Sequence, residues 1–183
     1  MTGNESLFML MLGCKPEGRH TEQHDIFFGI GNSIKDLVPD IKAFWPDAGE
    51  IHIDAWQAIT QVDGFDIHIA PIDSINKEDN LQHLFFINLG GYTNNVFDEQ
   101  HYKMLVVAPN MDNAKKIAKG NPFFAQYDQA HIDDKYAIDV DDIYKVETIL
   151  PALAQNKYGI VLQPATTTKT SAMALGYFQL HLL

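Results

Sequence analysis

Leu7-Phe-Met-Leu-Met-Leu12 is apolar at every position, the pattern of a strand covered on both faces. A polar loop of about ten residues follows, with Pro16 and Gly18 as turn formers. His24-Asp-Ile-Phe-Phe-Gly-Ile30 is apolar again and reads as a second strand. Ile34, Leu37, Val38, Ile41, Phe44 and Trp45 then recur at helical spacing and make one apolar face. Ser33, with Asp36 three residues on, supplies an N-terminal cap, and Pro39 should kink or shorten the helix. Ile51, Ile53, Ala55 and Ile59 alternate with His52, Asp54, Trp56 and Ala58, a third strand. A turn at Asp63-Gly64 leads into a fourth, Phe65-Asp-Ile-His-Ile69.

The pattern is then written a second time. Leu7–Gly13 aligns with Leu84–Gly90 at an offset of 77, as Leu-Phe, three variable positions, then Leu-Gly. The same offset places Glu22-Gln23-His24 on Glu99-Gln100-His101. His52–Ile59 falls on His131–Ile138 at offset 79, with five of eight positions identical. A two-residue slip between blocks is what a small loop insertion produces. His101-Tyr-Lys-Met-Leu-Val-Val107 is the second copy's second strand. Asn110 caps a helix with a weaker stripe, Met111, Ala114 and Ala118, stopped by Gly120 and Pro122.

The expected architecture is therefore α+β: two tandem strand-strand-helix-strand-strand repeats related by pseudo-twofold symmetry. The first unit spans 1–72, a polar linker 73–83, the second unit 84–150, and a C-terminal extension 151–183 packs on the repeats. In the extension, Gly159–Gln163 reads as a strand, Thr166–Ser171 as a loop and Gly176–Leu183 as a last alternating strand. Each unit alone is small for a self-sufficient core.

Composition narrows the function classes. Hydrophobic residues at 46 % suffice for a core, and a formal net charge of −11 repels phosphate backbones and anionic membrane surfaces. The 13 Lys and Arg are scattered, so nucleic acid is not an expected partner. The single cysteine, Cys14, excludes an intramolecular disulfide. The polar start carries no signal-peptide pattern, and no apolar run reaches the length of a membrane span. The expected setting is the cytoplasm, with a small-molecule or protein partner and no membrane.

Gly13 and Gly18, four residues apart and followed by Arg19, His20 and Thr21, approach a phosphate-binding loop. Such a loop needs a helix immediately after it, so that N–H groups face the phosphates. Here the chain runs into a strand, Arg19 replaces the lysine, and the second copy keeps neither the second glycine nor a cation. Nucleotide binding is not expected. Lys15, Arg19 and His20 remain as a local positive spot, a candidate for a small anion. Cys14, with His20 and His24 near it in sequence, would need a lowered thiol pKa to act as a nucleophile; the second copy has Gly91 there, and an inert buried cysteine is expected.

Both copies keep a polar set: Glu22, His24, His52 and Asp54 in the first; Glu99, His101, His131 and Asp133 in the second. Residues i and i+2 of an extended chain share a face. If the second and third strands are neighbours, two histidines and two carboxylates therefore converge. Two His with a carboxylate suit a divalent transition metal, or an acid–base pair in which the carboxylate orients the imidazole. The third reading is a structural network that sets strand register, and duplication favours it, because a repeat keeps what its fold requires. His68, His83 and His181 read as surface or packing residues. Trp45 and Trp56 read as core, and Asp139, Asp141 and Asp142 as a solvated acidic turn.

Leu-Gly-Cys-Lys-Pro from Leu12, Arg-His-Thr-Glu-Gln-His-Asp from Arg19, Gly-Ile-Gly-Asn from Gly29 and His-Ile-Asp from His52 together resemble a small bacterial family catalogued as domain of unknown function 1543. The resemblance implies one or two copies of a unit of this size, and no activity, substrate or cofactor. The first copy matches closely, the second is more divergent, and the tail after Pro151 is not covered. The leading expectation is a small non-enzymatic binding or interaction module of unknown ligand, cofactor and oligomeric state. The alternatives are a metal-dependent or acid–base enzyme using the duplicated His/Asp/Glu set, and anion binding at the Lys15, Arg19 and His20 loop.

Overall fold

A computed structural model describes residues 5–76, 81–123, 128–132 (backbone only) and 142–183. Its fold is α+β. The chain divides into two compact units: Met1–Ile75 together with Leu150–Leu183, and Asn76–Ile149.

In the first unit, β1 (Ser6–Cys14) runs antiparallel to β2 (Gln23–Gly31) on one side and β3 (His52–Ile59) on the other, and β11 (Met173–Gln179) lies outside β3. The all-apolar β1 is explained by this central place. Phe8, Leu10 and Leu12 face Phe27, Ile53, Leu37 and Ile41 in one core cluster, while Leu7 and Cys14 are buried as well. The expected kinked helix is two pieces. A 3-10 turn, Ile34–Leu37, is followed by α1 (Val38–Phe44), with Pro39 in its first turn, where no N–H is needed. Asp36 accepts hydrogen bonds from the backbone N–H of Asn32 and Ser33, both at 3.0 Å, and so anchors the start.

A second sheet has the order β10 (Tyr158–Pro164), β5 (Phe65–Pro71), β4 (Gln61–Val62). Asp63 and Gly64 join β4 to β5 with positive φ of 49° and 77°. That is the two-residue hairpin turn whose twist matches the strands. Leu150–Leu183 thus supplies strands to both sheets of this unit, with the short helix α3 (Ala152–Lys157) before β10. The last strand differs from the sequence reading: it starts at Met173 and ends at Gln179, where a 3-10 turn, Leu180–Leu182, begins.

In the second unit, β6 (His83–Tyr92) is central. It pairs along its length with β7 (Glu99–Ala108). On its other side it pairs first with β9 (Ile143–Lys145) and then with β8 (Asp128–Ile132). α2 (Met111–Lys119) presents Ala114 and Ala118 to Phe85, Ile87, Leu89 and Val106. Two alanines explain the weak stripe in the sequence: small side chains still make a buried face. Asn110 Oδ1 caps α2, accepting from Asn113 N–H at 3.0 Å. Part of the polar linker, 77–80, lies outside the described residues, as does most of the segment after β8.

Candidate functional site

Gly13 has a histidine opposite it on each neighbouring strand, His24 on β2 and His52 on β3. A Cβ at Gly13 would collide with His52 Nε2 and stand 2.5 Å from Asp54 Oδ2. The glycine leaves the room in which these side chains lie across β1. Asp54 owes its aim to a bulge. Leu12 pairs with Ile53 and Met11 with Ala55, so Asp54 has no partner on β1. The β3–β11 ladder shifts at the same point: Leu175 pairs with Ala55 and Phe178 with Ile53, so Gly176 (φ 156°) and Tyr177 together stand against the single residue Asp54.

The four side chains close a ring. His52 Nε2 lies 2.9 Å from Glu22 Oε1 and 3.2 Å from Asp54 Oδ1. His24 Nε2 lies 3.6 Å from Glu22 Oε2 and 3.3 Å from Asp54 Oδ2. Each imidazole nitrogen thus faces one oxygen of each carboxylate. A neutral imidazole has one N–H, so the ring has two protons for four N···O contacts. Asp54 Oδ2 is the atom left over: it is buried and receives no hydrogen bond, His24 lying within reach but out of alignment. Side-chain exposure runs from 7 % at His52 and 23 % at Asp54 to 43 % at His24 and 45 % at Glu22, so one end of the ring is in the fold and the other faces solvent. Among the described residues, no group of three or more His, Cys, Asp or Glu is spaced as it stands to hold a metal ion, this ring included.

Tyr177 covers the buried end. Its ring centroid is 4.2 Å from that of His52 at an interplanar angle of 33°. The same tyrosine lines a half-open cavity of about 320 Å³, with Lys42, Glu50, Ile51, Gln179 and His181. Tyr177 was not singled out in the sequence, and Gly13 was singled out only for its phosphate-loop spacing and the repeated Leu-Gly, not for this role. For Gly13 a signal existed, since Leu-Gly ends the first strand of both copies.

The other candidates separate from this ring. Lys15, Arg19 and His20 are exposed in the connection from β1 to β2, and among the described residues their side chains make no ion pair or hydrogen bond. That connection joins two strands, with Arg19 N–H closing a turn on Pro16 O, and no helix follows it before β2. Cys14 is buried. Burial, and then the nearby Glu22 carboxylate, push its thiol pKa up, away from a nucleophile. In the second unit, Glu99 Oε2 is 3.8 Å from His101 Nε2. Gly90 pairs with both His101 and His131. Of His131 only the backbone is described, and Asp133 lies outside the described residues, as do Asp139 and Asp141. Asp142 is held by Asn88, whose Nδ2 donates to its carboxylate at 3.2 Å.

No helix of the described residues is long and apolar enough to cross a membrane. No curated protein sequence matches the chain. Among solved structures, the crystal structure of a protein Il1583 from Idiomarina loihiensis is similar in fold. It matches at a TM-score of 0.61 and 22 % identity over 96 % of this chain and 97 % of that one. The sequence blocks beginning at Arg19, Gly29 and His52 all fall in one further match, and with them all four side chains of the ring: residues 19–69 match the family described as Domain of Unknown Function (DUF1543).

Proposed function

We propose that the protein is a small binding module whose first unit takes a divalent transition-metal cation, of the zinc class, between Glu22, His24, His52 and Asp54. The observation that carries this is the ring in which two imidazoles alternate with two carboxylates. Two protons cannot satisfy four N···O contacts, whereas a central cation satisfies all four donors at once, Asp54 Oδ2 included. Ligand bonds of about 2.0–2.1 Å set neighbouring tetrahedral ligands about 3.3 Å apart. The edges of the ring run from 2.9 to 3.6 Å, so the short His52–Glu22 edge must open by a few tenths of an ångström to admit the ion. Two imidazoles and two carboxylates suit zinc and its neighbours better than calcium or magnesium, which prefer oxygen alone.

The same reading takes the two units as tandem copies, in keeping with the duplicated Glu-Gln-His and His-Ile-Asp blocks. It places the protein in the cytoplasm, in keeping with one cysteine. A second reading, a metal-dependent or acid–base enzyme on a small molecule, is favoured by the cavity that shares Tyr177 with the ring.

The test is to strip the protein with a chelator and titrate it with Co²⁺, whose visible absorption reports tetrahedral nitrogen and oxygen ligands. Competition with Zn²⁺ then gives the affinity. Binding that disappears in His52→Ala and in Asp54→Asn supports the reading. Binding unchanged in both variants, or none at all, overturns it.

A further inference from the structure

We infer that the cavity beside Tyr177 is a binding site for a small zwitterion, an apolar α-amino acid, and that it binds with or without a cation in the ring. Three stretches of the first unit meet there. α1 carries Lys42 in its last turn, the loop into β3 brings Glu50 and Ile51, and the end of β11 brings Tyr177 and Gln179, with Leu180 next in the chain. Gly49 turns the loop with a φ of 74°, a conformation that L side chains rarely adopt. The volume of about 320 Å³ is at the small end of the range for small-molecule pockets, about 300–1,000 Å³, and so fits a ligand of amino-acid size.

Lys42 and Glu50 carry opposite charges on the wall of one cavity, yet they do not pair with each other. Among the described residues neither side chain makes an ion pair or a hydrogen bond, and the same is true of Gln179. A zwitterion satisfies both charges at once. Its carboxylate meets the Lys42 ammonium, its ammonium meets the Glu50 carboxylate, and the Gln179 amide, which both donates and accepts, serves either group. A simple anion would lie against the Glu50 carboxylate and a simple amine against the Lys42 ammonium. Each meets a like-charge repulsion that the zwitterion avoids. The apolar part of the ligand has its own wall. Lys42 and Glu50 are exposed, whereas Ile51 and Leu180 are half-buried. Both pack against the core cluster of the first unit, which fixes them in place.

The experiment is a two-dimensional NMR titration of the isotopically labelled full chain with L-leucine, with isocaproate, which is leucine without its amine, and with isoamylamine, which is leucine without its carboxylate. Metal-stripped, desalted protein is used, because amino acids chelate divalent cations and the result must not depend on the ring. L-Leucine should shift the amide signals of Glu50, Ile51 and Leu180, and the two half-molecules should bind at least tenfold more weakly. Lys42→Ala should weaken leucine at least tenfold and leave isoamylamine no weaker. Glu50→Gln should weaken leucine likewise and leave isocaproate no weaker. Both side chains are exposed, and the signal dispersion of each variant checks that it is folded. L-Valine and L-alanine are titrated in the same way, and no shift at these amides with any of the three amino acids overturns the proposal. Amino-acid binding that survives either variant unchanged also overturns it, as do half-molecules that bind as tightly as leucine.

Discussion

Gly13 and His52 face each other across the β1–β3 ladder, and the imidazole occupies the space that any Cβ at position 13 would need. His52 is the one polar or charged side chain among the fully buried residues described, at 5 % exposure. Its burial depends on that vacancy and on Tyr177 above it. The site is thus set by a side chain that is missing as much as by those present.

Gly13→Ala should therefore displace His52 and Asp54 together. The expected results are Co²⁺ affinity at least tenfold weaker and stability lower by about 1–3 kcal/mol, the range for overpacking a filled site. Calorimetric titration and thermal unfolding of the chelated protein measure the two effects. Unaltered affinity would show that the ring does not need the glycine.

His24→Ala and His52→Ala should part company in stability while agreeing in metal binding. His52 is buried with its Nε2 2.9 Å from a Glu22 carboxylate oxygen, and its removal should cost about 1–3 kcal/mol in the metal-free protein. His24 is 43 % exposed, and its loss should shift stability by no more than about 0.5 kcal/mol. Urea unfolding with a chelator present decides. Equal large losses in both would favour a register-setting network over a site.

Glu147, in the second unit, supplies a separate pH test. Burial raises its carboxyl pKa above the ordinary value, and its Oε2 is buried without a partner. A folded-state pKa above the unfolded one means that the favourable contribution is complete below the unfolded value of 4.5 and is lost as pH rises through the folded value. Glu147→Gln should abolish that fall and stabilise the protein at pH 7 by about 1 kcal/mol, by ending the desolvation of a charge. Melting curves at pH 4 and pH 7 should converge in the variant. A native protein with the same unfolding free energy across that interval would contradict the assignment.

Cys14 should be nearly inert. It is 1 % exposed, and burial and Glu22 both disfavour its thiolate. Iodoacetamide should label it in urea and leave it untouched over the same period under native conditions at pH 7, as read by mass spectrometry. Rapid native labelling would mean that the end of β1 opens readily.

Much of the architecture was legible because it depends on periodicity, which is local. The unbroken apolar run at Leu7–Leu12 announces a strand buried on both faces; β1 buries Phe8, Leu10 and Leu12 on one face, while Met9 and Met11 on the other are half-buried. The stripe from Ile34 announces a helix, and Asp63-Gly64 announces a hairpin. The i, i+2 spacing of Glu22 with His24 and of His52 with Asp54 puts each pair on one side of an extended chain. Sequence could not join the two pairs, because that requires β2 and β3 to flank β1 in registers that bring both histidines opposite Gly13. Those registers come from the packing of Leu12, Phe27 and Ile53 against Leu37 and Ile41, contacts between residues far apart in the chain. The bulge that aims Asp54, and the arrival of Tyr177 from a strand more than a hundred residues away, have no local signature at all. The sequence by itself determined which strands and helices form and which polar residues they carry, since side-chain period and turn chemistry act over a few neighbours. Tertiary structure alone decided that Glu22, His24, His52 and Asp54 share one space, since only long-range pairing can place four donors within 4 Å of their neighbours in a ring.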